Sequence, residues 1–117
     1  MEQIPKEKIM QKDVVILPFP FTDSGSYKVR PAIVVSNEYF NTAKEDCILV
    51  PLTSVIKDDA FSIAISQDNM AEGELLKESR IRADKIFSID KETIITRIGS
   101  IDDKIFNALK EKILSLF

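Results

Sequence analysis

A chain of 117 residues that is 44% hydrophobic suits one domain able to fold without covalent staples. Its single cysteine, Cys47, excludes an internal disulfide framework. The absence of histidine excludes Ser-His-Asp triads, Cys-His pairs, histidine zinc sites and a two-histidine ribonuclease mechanism.

Residues 1–12 read as a polar N-terminal arm, and 13–117 as a single domain. Val14-Val15-Ile16-Leu17 predicts a buried strand, and Pro18-Phe19-Pro20-Phe21 then argues against regular pairing, because proline lacks a donor. Thr22 to Ser26 is a loop by composition. Ala32 to Ser36 predicts a second strand, with Asn37 placed to cap a short helical turn through Thr42. Cys47 to Leu52 is a third strand, with Cys47 a core thiol and Pro51 marking an edge or bulge. Lys57-Asp58-Asp59 is a turn, Phe61 to Ser66 alternates as a half-buried strand, and Asn69 to Gly73 reads as loop. From Ser79, alternation puts Ser79, Ile81 and Ala83 on one face and Arg80, Arg82 and Asp84 on the other. Thr93 to Ile98 predicts a last strand ended by Gly99. Ser100 then caps an amphipathic helix carrying Ile105, Leu109, Ile113 and Leu116. Five or six short strands and a C-terminal helix fit a mainly β fold, a small SH3-like barrel, and not a doubly wound fold.

No apolar run approaches the roughly 20 residues needed to span a bilayer. The charged N-terminus is unlike a secretory signal, so a cytoplasmic protein is expected. The net charge of −3 argues against a nucleic-acid coat, yet allows a nuclease whose positive charge is gathered in one groove. Lys77, Arg80, Arg82 and Lys85 make such a basic stretch.

Three constellations can carry chemistry. Thr22-Asp23-Ser24-Gly25-Ser26-Tyr27-Lys28-Val29-Arg30-Pro31 is a hydroxyl-rich loop ending in an arginine aimed by a proline, able to grip a phosphate; it also reads as a solvated hairpin. Thr53 and Ser54 at a strand end can donate to an anionic oxygen, or satisfy their own turn. Arg80 and Arg82 share a face that can track a nucleic-acid backbone, or Arg82 can pair with Asp84. No metal-ligand spacing or phosphate-cradling glycine loop is present, and no cofactor is implied.

Taken together, these segments resemble the MazF/PemK toxin family. The resemblance is carried by Asp13-Val14-Val15, by Lys28-Val29-Arg30-Pro31-Ala32-Ile33-Val34-Val35-Ser36 and by Val50-Pro51-Leu52-Thr53-Ser54. Ser79 to Asp90, and Ile98-Gly99-Ser100 before a helix, complete it. It covers residues 13–117 in one consistent order. Where many relatives carry a glycine before the first-strand aspartate, this chain has Lys12.

The resemblance implies an SH3-like barrel homodimer, a metal-independent endoribonuclease that cleaves single-stranded RNA by 2′-hydroxyl attack. An antitoxin whose flexible tail blocks the groove would be its partner. By the same resemblance, Arg30 and Thr53 are the catalytic pair, and the loop from Thr22 to Lys28 lines the groove. Thr22, Asp23, Ser24, Lys28, Ser54, Ser79, Arg80 and Arg82 are the expected RNA-binding residues. The alternatives are a non-catalytic member that only binds an antitoxin or RNA, and a gyrase poison resembling CcdB. The latter family uses a C-terminal tryptophan segment, and this chain has no tryptophan.

Overall fold

The computed structural model describes residues 8–20, 27–55, 58–75 and 77–117. Among them the order is β1 (Asp13–Pro20), β2 (Tyr27–Val34), α1 (Glu38–Ala43), β3 (Asp46–Thr53), β4 (Ser62–Ile65), β5 (Met70–Gly73), β6 (Ser79–Arg82), β7 (Phe87–Asp90), β8 (Thr96–Ile101) and α2 (Asp103–Leu114). The strands form one antiparallel sheet in the order β4-β6-β3-β2-β1-β8-β5, with β7 also paired to β3. Ile65 at one end of that order and Ile101 near the other belong to the same core cluster, so the sheet curls back on itself. Phe106 and Leu109 of α2 close that cluster, as expected of a small SH3-like barrel with a C-terminal helix.

The other face of the central strands buries Val15 and Leu17 of β1, Ala32 and Val34 of β2, and Cys47 and Leu49 of β3. Period-2 alternation fills both faces: Val14, Ile33 and Val50 point to the first cluster, their neighbours to the second. Ile9 belongs to this second cluster, and the Gln11 side chain donates to the Val35 carbonyl at 2.9 Å. Part of the segment read as a polar arm is therefore packed, because Ile9 has an apolar site to fill. Asp13 is 2% exposed and accepts from the Met10 N–H and from Arg97 Nε, both at 2.9 Å. Burial pushes its carboxyl above the ordinary value, and Arg97 and the Met10 N–H only partly offset this. Arg97 also pairs with Glu72, so one guanidinium ties β1, β8 and β5 together.

Several boundaries differ from the sequence reading. β1 runs through Pro18 to Pro20, paired with β2. Its pairing with β8 ends at Ile16, so the missing proline donors fall where, among the described residues, no strand pairs with that edge. Asn69 to Gly73 is not all loop: Met70–Gly73 is β5, after a 3-10 turn at Gln67–Asn69. Gly99 does not end the last strand but lies inside β8 opposite Gly73, where a Cβ would meet the Glu72 carbonyl oxygen at 2.2 Å. Residues 91–93 form a 3-10 turn, and β8 starts at Thr96. The helix cap is Asp102, which accepts from the Ile105 N–H at 2.8 Å; Ser100 is still in β8. Asn37 does cap α1, accepting from the Phe40 N–H.

Lys12 adopts φ 82°, in the left-handed region that glycine enters most readily. Its side chain offsets part of the strain by reaching Asp103 at 2.5 Å and lying 5.7 Å over the Phe106 ring. A left-handed non-glycine residue costs roughly 1–2 kcal/mol, whereas an exposed ion pair returns about 0–1 kcal/mol. Lys12→Ala should therefore be less stable than Lys12→Gly by about 1 kcal/mol in urea unfolding. Equal midpoints for the two variants would remove the strain from this position.

Candidate active site

The architecture of the site starts with β3. On one edge β3 pairs with β2 over Leu49 to Pro51 (Ala32↔Pro51, Ile33↔Val50). On its other edge it pairs first with β7 (Cys47↔Ile89, Leu49↔Phe87) and then with β6, as Leu52↔Ile81 and Thr53↔Arg80. Pro51 has no N–H to give that second edge, and it falls where β7 hands over to β6. The β2 ladder ends at Ala32↔Pro51, next to Pro31, which has no N–H to give β3, while Arg30 stays paired with Leu17 of β1.

Arg30 shares a strand face with Ala32 and Val34, and Thr53 shares one with Cys47 and Leu49. Both side chains therefore belong to the same side of the sheet. They line one groove of about 620 Å³ with Leu17, Phe19, Pro51 and Phe87. Phe19 and Phe87 meet edge to face, centroids 5.3 Å apart, and stiffen the apolar wall. Arg82 and Lys85 supply further positive charge on the rim. Thr53 Oγ1 accepts from the Val55 N–H at 3.2 Å. That contact uses an oxygen lone pair and leaves the hydroxyl proton to be donated elsewhere.

Arg82 is braced by Asp84, with Nε–Oδ1 and Nη2–Oδ2 both 3.3 Å. Slight desolvation raises the Asp84 carboxyl, but the Arg82 hydrogen bond and charge outweigh it, leaving it below the ordinary value. Arg80 is held differently. Its Nε donates to Ser62 Oγ at 2.7 Å and its Nη2 to the Ser62 carbonyl at 3.2 Å.

The other expected residues divide. Lys28, Ser54 and Ser79 surround a separate cavity of about 760 Å³, whose lining also includes Arg30. Ser79 is buried on the face opposite Arg80 and donates to the Lys77 carbonyl at 3.0 Å. Thr22, Asp23 and Ser24 lie outside the described residues. Sequence reasoning missed the aromatic wall of Phe19 and Phe87, and Ser62 as the partner of Arg80, because these contacts join distant strands. Among the described residues, no group of three or more His, Cys, Asp or Glu side chains could hold a metal ion. Nor is any helix among them long and apolar enough to cross a membrane.

Residues 10–117 match the family model of the PemK-like, MazF-like toxin of type II toxin-antitoxin systems. The chain belongs to this family. Three solved structures share its fold. A MazE-MazF crystal structure from Deinococcus radiodurans matches with a TM-score of 0.76 at 21% identity, over 92% of this chain and 94% of that one. An endoribonuclease in complex with its cognate antitoxin, from a mycobacterial species, gives 0.74 at 19% identity, over 92% of each chain. The Mycobacterium tuberculosis toxin MazF-mt6 gives 0.71 at 19% identity, over 88% and 93%. No curated protein sequence matches the chain.

Cys47 takes no part in the groove. It is fully buried, and burial pushes its thiol up to about 12. The native protein should therefore resist alkylation by iodoacetamide at pH 8 and become labelled only on unfolding, as read by mass spectrometry. Rapid labelling of the folded protein would contradict this core placement.

Proposed function

We propose that this toxin-family chain is a metal-independent endoribonuclease that cleaves single-stranded RNA at short sequences, with Arg30 and Thr53 as its catalytic pair. The observation that carries the reading is that these two side chains, 23 positions apart in sequence, line one groove beside the end of the β2–β3 ladder. The endoribonuclease and MazF names of the structural neighbours lend it support.

In this scheme the ribose 2′-oxygen attacks the adjacent phosphorus and forms a new P–O bond. The bond from phosphorus to the 5′-oxygen breaks; the 2′-hydroxyl gives up its proton as it attacks and the leaving 5′-oxygen takes one up, so the proton count is unchanged. The products are a 2′,3′-cyclic phosphate and a 5′-hydroxyl. Arg30 binds the non-bridging oxygens as a planar fork and offsets the charge that grows on them. Thr53 donates its hydroxyl to the same group. The apolar walls reduce water around these donors, which strengthens each of them. Arg82, braced by Asp84, and Lys85 guide the RNA backbone along the rim, with Lys28, Ser54 and Arg80 holding flanking nucleotides.

The reading includes a homodimer. The second cavity is lined by Ile16, Val29, Pro31, Leu75 and Ile98, of which Val29 is 56% exposed and the others half-buried. This apolar face adjoins Arg30, so a second copy seated there would extend the groove. A cognate antitoxin is the expected inhibitor, and one structural neighbour is solved in complex with its own antitoxin. The proposal also takes 13–117 as one domain preceded by an N-terminal segment, of which Ile9 and Gln11 pack against the body.

Cleavage of a defined transcript should persist in EDTA, and Thr53→Ala should slow it about a hundredfold, the usual effect of removing one such donor. Arg30→Ala should abolish it while the protein stays folded by circular dichroism. Loss of activity on chelation, or full activity in folded Arg30→Ala, would overturn the scheme.

A further inference from the structure

A small cleft of about 230 Å³ opens off the groove and shares Thr53 and Arg82 with it. Its remaining lining is Val55, Asp59, Ser62 and Arg80. Arg80 lies opposite Thr53 across the β3–β6 pairing, so groove and cleft meet at Thr53. The Arg80 side chain is only 13% exposed. A cation this buried calls for an anion, because the hydration it has lost must be replaced. Its hydrogen bonds go to neutral groups instead: Nε donates to Ser62 Oγ at 2.7 Å and Nη2 to the Ser62 carbonyl at 3.2 Å. The carboxylate paired with it, Asp58, stands 3.6 Å from Nη2 with its own side chain fully exposed. An ion pair with one partner wholly in water is weak and readily exchanged. The guanidinium is therefore fixed before any ligand arrives, while its counter-ion is replaceable.

Arg82 brings a second guanidinium to the same cleft. None of the lining residues is aromatic, so the cleft has no platform on which a base would stack. Asp59 is exposed, and its Oδ1 accepts from the Phe61 N–H at 2.7 Å, so water and salt screen the charge it keeps. This chemistry suits a small anion rich in acceptor oxygens, which a phosphodiester supplies whatever base it carries. We infer that the cleft takes the RNA phosphate next to the scissile one, and that the Asp58 carboxylate holds its place on Arg80 until RNA arrives. The inference rests on the endoribonuclease reading above and gives it a second phosphate subsite. Thr53 sets the adjacency, because it serves the scissile phosphate from the groove and walls the cleft beside it. Gripping the neighbouring phosphate orients the one held between Arg30 and Thr53.

Binding to a short 2′-O-methyl RNA of defined sequence tests this without cleavage. A methylphosphonate, which removes the charge of one phosphate, is placed at each position in turn, and fluorescence anisotropy reads the affinity. For the wild type, two neighbouring positions should each weaken binding about tenfold, the usual scale of a hydrogen bond to a charged group. Arg30→Ala should erase the effect at one of them and Arg80→Ala at the other. A merely structural role for Arg80 would weaken binding at every position alike. Asp58→Asn, a change at an exposed residue that keeps the fold, should tighten binding of the unmodified RNA up to about fivefold, since it removes a weak competitor. In the Arg80→Ala background that gain should vanish. The assignment is overturned if no position loses its effect in Arg80→Ala, or if Asp58→Asn gives no gain or a gain that persists without Arg80. If the wild type leaves unmodified RNA uncut yet shows the two neighbouring couplings, the nuclease reading fails and the cleft assignment stands. Cleavage with no coupling to Arg80 sinks the cleft assignment alone.

Discussion

The change of partner along β3 is the constraint on which the site depends. A strand that stayed with β2 to its end would pack Arg30 and Thr53 side by side in a closed ladder. Instead, the β2–β3 ladder ends at Ala32↔Pro51, while on its opposite edge β3 passes from β7 to β6. The sheet stays continuous through β7 and β6, so most backbone groups of β3 keep a partner while one edge opens. The opening is lined by strand residues including Phe19 and Phe87, and by Lys85 and Ile86 from the turn between β6 and β7. Placing functional groups on strands in this way fixes them more tightly than a loop would.

Charge follows the same geometry. The chain is net acidic, yet Arg30, Arg82 and Lys85 converge on the groove and Arg80 on the cleft beside it. Such focusing lets a net-negative protein attract a polyanion along one face. Two of these cations are pre-positioned by neighbours, Arg82 by Asp84 and Arg80 by Ser62. Ordering them in advance reduces the entropy lost when RNA binds. The Asp13–Arg97–Glu72 cluster does a separate job, fixing β8 and β5 against the far edge of β1.

Much of this was legible in the sequence where period and capping chemistry are local. Ser79, Ile81 and Ala83 are buried and Arg80 and Arg82 turned outward, as their alternation indicates. Asn37 caps α1, and Cys47 is in the core. The misreadings are non-local. Gly99 looks like a strand terminator until Gly73 is placed against it across the sheet. Pro18 and Pro20 look disruptive until β8 is seen to stop short of them. Ser100 loses the cap to Asp102 because β8 extends through Ile101. The pairing of Arg80 with Ser62 comes from the β4–β6 register, which no local pattern encodes. Family resemblance singled out Arg30 and Thr53, whereas their composition alone favoured a solvated hairpin and a turn satisfying its own backbone.

The central claim is that one phosphodiester, gripped by Arg30 and Thr53, is attacked by its own 2′-hydroxyl. Mass spectrometry of the fragments from a short RNA, beside the same RNA with a single 2′-deoxy substitution at the cleaved nucleotide, tests this directly. The account predicts 2′,3′-cyclic phosphate ends from the first and no cleavage of the second. Cleavage of the deoxy substrate, or products carrying a 5′-phosphate, would contradict it.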